Sequence, residues 1–167
     1  MLILAIETSC DDTGIAILEA TGDKKSPSFR ILSNVVASQI DIHQPYGGVY
    51  PTLAKREHQN NLPIALSSAL KKAGLSEEKP NIDALAITYG PGLSPCLWTG
   101  ITFAKEYAKK QKLPLIPVDH IEAHLLMGSL LHQKEKDVFS LLKEIFPAIA
   151  LIVSGGHSQL ILVKNIG

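Results

Sequence analysis

Two apolar runs with a polar tip between them open the chain. Leu2-Ile3-Leu4-Ala5-Ile6 and Gly14-Ile15-Ala16-Ile17-Leu18 read as buried strands of a hairpin, joined by Glu7-Thr8-Ser9-Cys10-Asp11-Asp12-Thr13. A loop from Thr21 to Ser28 leads to a third strand over Ile31–Ala37. The Gly-rich segment Pro45–Pro51 is a turn that sets Pro51 near the first position of a long helix. That helix runs to Ala73, with Gly74 as its C′ stop. Its core stripe is Leu62, Ala65, Leu66, Ala69 and Leu70, and a kink is expected at Pro63. Ile82–Thr88 is a strand ending in the glycine-rich turn Tyr89–Leu93, where a ligand or another backbone can approach closely. A helix follows from about Ser94 to Lys110, and its Gly100 points to tight packing. Leu113–Val118 is a proline-punctuated strand, and a helix starts behind Asp119.

A charged linker, His132–Asp137, precedes a restart of the opening pattern. Ala148–Val153 and Gln159–Val163 flank the small polar tip Ser154-Gly155-Gly156-His157-Ser158. This order predicts an α/β fold: a ribonuclease-H-like, actin-like ATPase (ASKHA) lobe with a mixed sheet, plus the opening hairpin of a second similar lobe. The expected division is a first lobe over 1–132, a linker over 133–146 and the start of a second lobe over 147–167. The restarted hairpin is expected to expose apolar faces that further chain would cover.

Composition narrows the classes. At 167 residues and 46% hydrophobic, the chain can bury a core, and disorder is excluded for most of it. Lys+Arg and Asp+Glu balance at 16 each, a poor footprint for holding nucleic acid unaided. The basic clusters Lys71-Lys72 and Lys109-Lys110-Gln111-Lys112 sit at helix C-termini, where cations are favoured anyway. The apolar N-terminal run is too short for a signal peptide or a membrane span, and two cysteines imply no disulfide framework. The expectation is a cytoplasmic protein that does not engage a membrane.

Three stretches carry candidate chemistry. His120 and His124 lie four apart behind a plausible N-cap, Asp119, with Glu122 in capping-box position. They read either as half of a metal site or as a solvated pair on a helix face. The first turn disfavours an imidazolium, which leaves neutral rings fit for a metal. Thr8, Ser9, Asp11 and Asp12 form a tip that could orient a phosphate or a metal, or be a solvated turn. Arg56, Glu57 and His58 read as solvated unless a ligand is near.

Five stretches in order resemble the N-terminal half of the tRNA N6-threonylcarbamoyladenosine synthase family (TsaD/Gcp, formerly named a glycoprotein endopeptidase). They are Ile6–Thr13, Tyr46–His58, Gly90-Pro91-Gly92-Leu93, His120-Ile121-Glu122-Ala123-His124 and Ser154–Leu160. The resemblance implies transfer of a threonylcarbamoyl group from threonylcarbamoyl-AMP to N6 of the adenosine 3′ of the anticodon, in tRNAs reading A-starting codons. It implies His120 and His124 as ligands of one divalent metal, iron or zinc, and Ile152, Val153, Ser154, Gly155 and Gly156 as substrate-binding. It implies tRNA and partner proteins, including a scaffold paralogue. Asp12 and Thr52 stand where many relatives carry Glu, and Pro95 where Gly is frequent. The chain is about half as long as those relatives, whose remaining metal carboxylate lies in the other half. The alternative reading is the family's shorter, catalytically silent scaffold, although a scaffold has no use for the histidine pair. Glu122, two places after His120, does not match the His-Glu-x-x-His order of a zinc protease.

Overall fold

Alternation of large apolar residues builds the first sheet. In the computed structural model, which describes residues 1–23, 27–130, 146–154 and 157–165, β1 (Leu2–Glu7) pairs antiparallel with β2 (Asp12–Gly22). β1 also pairs in parallel with β4 (Ala84–Gly90), and β4 in parallel with β5 (Leu115–Asp119). With β3 (Pro27–Ser38) the strand order is β3-β2-β1-β4-β5. The register stacks Leu4, Ile6, Ile15, Ile17, Leu85 and Ile87 on one face, all buried.

Two helices supply partners for that face. α2 (Pro51–Lys72) buries Leu62, Ala65, Leu66, Ala69 and Leu70, the stripe its spacing predicts. Pro51 stands in the first turn, and the helix ends in a Schellman motif: Gly74 at φ +71°, Leu75 N–H on Leu70 O at 2.9 Å and Gly74 N–H on Lys71 O at 3.1 Å. Pro63 sits inside α2 without ending it. α3 (Ser94–Gln111) adds Ala104 and Ala108 to the core, and Pro95 is tolerated because it lies in the first turn.

Two expectations about local structure change. β2 and β3 extend into the anticipated loop, and beside it Arg30 on β3 meets Glu19 on β2 at 2.8 Å. A short helix α1 (Ile40–His43) and a 3-10 turn (Gln44–Tyr46) also precede α2. Too few residues lie in either to give a periodic signal.

The chain divides into two compact units. One comprises Met1–Ala20 with Phe29–Glu122, the other Thr21–Ser28 with Ala123–Gly167, so the division falls within α4 (His120–Leu130). In the second unit β6 (Ala148–Ser154) and β7 (His157–Val163) form an antiparallel hairpin. Its register puts Ile149, Leu151, Val153, Leu160 and Leu162 on one face, all exposed. The charged linker at 132–137 lies outside the described residues. Among the described residues no helix is long and apolar enough to cross a membrane.

Gly100 tests the packing. A Cβ there would collide with the Thr8 hydroxyl, and the Thr8 Cβ and Cγ2 stand 3.2 Å away. Gly100→Ala should therefore cost about 1–3 kcal/mol despite the better helix propensity of Ala. In a Thr8→Ala background the penalty should largely vanish. Urea unfolding of the double-mutant cycle measures this, and an equal cost in both backgrounds would refute it.

Candidate functional site

The parallel strands β1, β4 and β5 deliver three segments to one edge of the sheet. These are the β1–β2 tip, the turn after β4, and the start of α4. In open α/β sheets this carboxyl edge is where ligands bind.

The tip is pressed against the start of α3. Ser9 O accepts Leu93 N–H at 2.7 Å, and a Cβ on Gly92 would lie 2.6 Å from that same oxygen. The glycine-rich turn thus admits another backbone, that of Ser9. Thr8 is buried and its hydroxyl donates to Cys96 O at 3.0 Å. Glu7 Oε1 accepts Ser9 N–H at 2.5 Å. Ser9 and Thr13 are buried as well, whereas Asp12 is exposed and Asp11 half-buried.

His58 is a correction to the sequence reading. It is fully buried, not solvated, and it holds the tip from the α2 side. Its Nε2 lies 3.0 Å from Cys10 O, a group that can only accept, so Nε2 carries the proton. Nδ1 then accepts from the Thr13 hydroxyl at 2.7 Å. A second buried histidine continues the network. Tyr50 N–H donates to His43 Nδ1 at 3.3 Å, and His43 Nε2 donates to Gln39 Oε1 at 3.0 Å. The Gln39 amide nitrogen reaches Ala54 O and His58 Nδ1, each at 3.5 Å. Burial pushes the His58 pKa below its ordinary value, against the bond to Cys10 O and the acids Glu7, Asp11 and Asp12, which favour the cation. Gln39 and His43 escape sequence reading, and the burial of His58 with them, because a buried polar residue carries no periodic mark.

At the start of α4, Asp119 Oδ1 accepts the N–H groups of Ile121 at 2.9 Å and Glu122 at 3.0 Å, the expected N-cap. This fixes His120, whose Nδ1 lies 3.5 Å from Glu7 Oε2 with its side chain 25% exposed. His124 lies one turn on and is exposed, as is Glu122. Among the described residues no group of three or more His, Cys, Asp or Glu is gathered for a metal. In the second unit Ile152 is half-buried and Val153 exposed, while Gly155 and Gly156 lie outside the described residues, as does the side chain of Ser154.

Electrostatics separates the tip's groups by role. Partial desolvation, with the Asp11 carboxylate beside it, pushes the thiol of exposed Cys10 up to about 12, and burial raises Cys96 to about 11. Both shifts disfavour the thiolate. Of the tip's two aspartates Asp12 is exposed and Asp11 half-buried, and His120 at the head of α4 lies beside Glu7.

A family model described as TsaD, tRNA N6-adenosine threonylcarbamoyltransferase, matches residues 30–167. The tRNA N6-adenosine threonylcarbamoyltransferase of Thermosipho africanus is 43% identical over 165 residues, covering 99% of this chain and 44% of that protein. Its counterpart in Streptococcus sanguinis is 41% identical with the same coverage. The chain thus spans less than half the length of these curated relatives. Among solved structures, YeaZ from Pseudomonas aeruginosa superposes with a TM-score of 0.52 at 15% identity, over 78% of this chain and 49% of that one. RuvC of T. thermophilus in complex with a Holliday junction gives 0.50 at 11% identity, over 87% and 78%. These likenesses show the fold, which is the expected ribonuclease-H-like, ASKHA-type α/β lobe.

The buried imidazole predicts a pH signature. Unfolding exposes His58 and restores its ordinary pKa near 6.5, so below that pH the unfolded state binds a proton that the folded state refuses. Stability should fall as pH drops from about 6.5 toward the lower folded value, by at most about 1.4 kcal/mol per pH unit. Urea midpoints at pH 7.5 and 5.5 should separate less in a His58→Gln protein than in the wild type. An identical separation in both would contradict this.

Proposed function

We propose a function from one premise: this chain belongs to the tRNA N6-adenosine threonylcarbamoyltransferase family. The function is transfer of the threonylcarbamoyl group from threonylcarbamoyl-AMP to N6 of the adenosine 3′ of the anticodon, in tRNAs that read A-starting codons. The observation that carries it is the family match over residues 30–167, whose His-x-Glu-x-His segment opens α4 at the carboxyl edge of the sheet. The activity is that of the full-length protein, since the chain spans 44% of its relatives.

His120 and His124 supply two imidazoles, a donor type suited to iron or zinc. The remaining donors come from outside the described residues, which gather no third. A metal held there would supply Lewis acidity toward the carbamoyl or phosphate oxygens of the preactivated donor. The chain's own residues do the rest. Asp119 anchors the helix that carries both rings, and Glu7 fixes the orientation of His120. Asp11 and Asp12, on the tip that Thr8 and Ser9 hold down, face the nucleotide side. Ile152, Val153, Ser154, Gly155 and Gly156 line the donor, with backbone amides for its phosphate. Glu122 acts as a helix residue outside the ligand set.

The division into a lobe over 1–132, a linker over 133–146 and a second lobe from 147 belongs to the same reading, and the apolar face of the β6–β7 hairpin is where that lobe continues. Partners are tRNA and assembly proteins including a scaffold paralogue, in the cytoplasm. A silent scaffold role is the weaker reading, because it leaves the histidine pair without a use.

Metal content and transfer test this together. Full-length protein purified without oxygen should hold about one iron or zinc per subunit, and His120→Ala and His124→Ala should each lose most of it along with transfer to tRNA. Glu122→Gln should cost at most about 10–100-fold in metal affinity or activity. Unchanged metal in both histidine variants would remove the metal assignment, and a wild-type protein that modifies no tRNA with its partners present would remove the function.

A further inference from the structure

The segment between β3 and α2 holds two tyrosines that the core does not use. Tyr46 is 62% exposed and Tyr50 54%, and their rings stack on each other with centroids 5.6 Å apart and planes 29° from parallel. Gly47 and Gly48 between them are exposed and have open space where a side chain would stand. Two large rings left in water, already stacked, have one outer face each to offer.

The pair is not a floppy loop tip. Tyr50 N–H is held by buried His43, His43 by Gln39, and the Gln39 amide reaches Ala54 O and His58. His58 in turn grips Cys10 O at the tip. A continuous buried polar network thus ties the aromatic pair to the candidate site. Tyr50 stands eight residues before His58, roughly 12 Å along the helix axis. That is the length of about three to four nucleotides at a stacked rise of about 3.4 Å each. Exposed Lys55 and Arg56 follow on the first turns of α2, with Arg56 also bridging Glu57 at 3.1 Å. The other acid nearby on the segment is the exposed Asp41.

We propose that Tyr46 and Tyr50 form a stacking platform for an unpaired base of the tRNA anticodon loop, one that flanks the adenosine to be modified. The inference rests on the tRNA reading above and adds the surface that docks the substrate. Single-stranded loops are recognised by stacking splayed bases on aromatic rings, and a ring pair tethered to the site presents such faces at a fixed distance. The weak local charge fits a contact made through ring faces more than through phosphates.

The test is binding of a fluorescently labelled anticodon stem-loop to the full-length protein, read by anisotropy across a salt series. Tyr46→Ala and Tyr50→Ala should each weaken binding roughly 5- to 100-fold, while Tyr46→Phe and Tyr50→Phe stay near wild type because the ring is kept. The slope of affinity against salt should not change, since no phosphate contact is removed. Alanine variants that bind like wild type would overturn the platform, including the case where the pair serves a protein partner instead. A salt slope reduced by about one per variant would overturn it too, by assigning the residues to phosphate contacts. Wild type that modifies tRNA while the alanine variants bind normally sinks the platform and keeps the function. Wild type that neither binds nor modifies RNA sinks both.

Discussion

The β1–β2 turn can lie where it does because two glycines and one histidine let it. Gly92 and Gly100 allow Ser9 and Thr8 to sit directly on the start of α3, closer than any side chain would permit. From the other side His58 fills the space under Cys10 and satisfies its carbonyl. Each such hydrogen bond contributes only about 1 kcal/mol net, but leaving a buried partner unmatched costs about 1–3 kcal/mol. The turn is therefore held less by strong attraction than by the absence of any other place where these groups are all satisfied. The head of α4 inherits that order, since His120 faces Glu7, the residue whose other carboxylate oxygen binds Ser9.

That constraint explains what could be read from the sequence. Strands and helices were legible because their periods are written in residue type: Leu62, Ala65, Leu66, Ala69 and Leu70 mark a helix face whatever lies beneath. Pro51 and Gly74 marked the limits of α2 through backbone chemistry alone. The glycines announced close approach, yet nothing local said that the approaching group was Ser9 or Thr8. His58 was misread as solvated for the same reason. Its burial depends on Cys10 and Thr13, more than forty positions earlier, and on Gln39. Long-range polar satisfaction leaves no periodic trace.

The tip shows a division of labour among residues that look alike in sequence. In sequence the tip could orient a phosphate or a metal or be a solvated turn, but three of its hydroxyls, Thr8, Ser9 and Thr13, are buried, and those of Thr8 and Thr13 are tied to Cys96 and His58. They fix the backbone. The carboxylates of Asp11 and Asp12 cannot be buried at comparable cost, because an ion leaves water only with a partner. Asp12 stays in solvent and Asp11 only half leaves it, while the hydroxyls turn in.

The same sorting bears on how an ordered site could receive a flexible substrate such as the proposed tRNA loop. A loop of nucleic acid brings its own disorder, and every degree of freedom it loses on docking subtracts from affinity. A receptor that also had to order itself would lose more. Here the groups that order the receptor, His43, Gln39, His58, Thr8 and Thr13, are buried and satisfied within one unit before any ligand arrives. The groups that would meet the ligand in the proposed reading, the acids of the tip and the rings of Tyr46 and Tyr50, hang from that network without belonging to it. Substitutions in the first set should act through stability and its pH dependence, and those in the second through recognition.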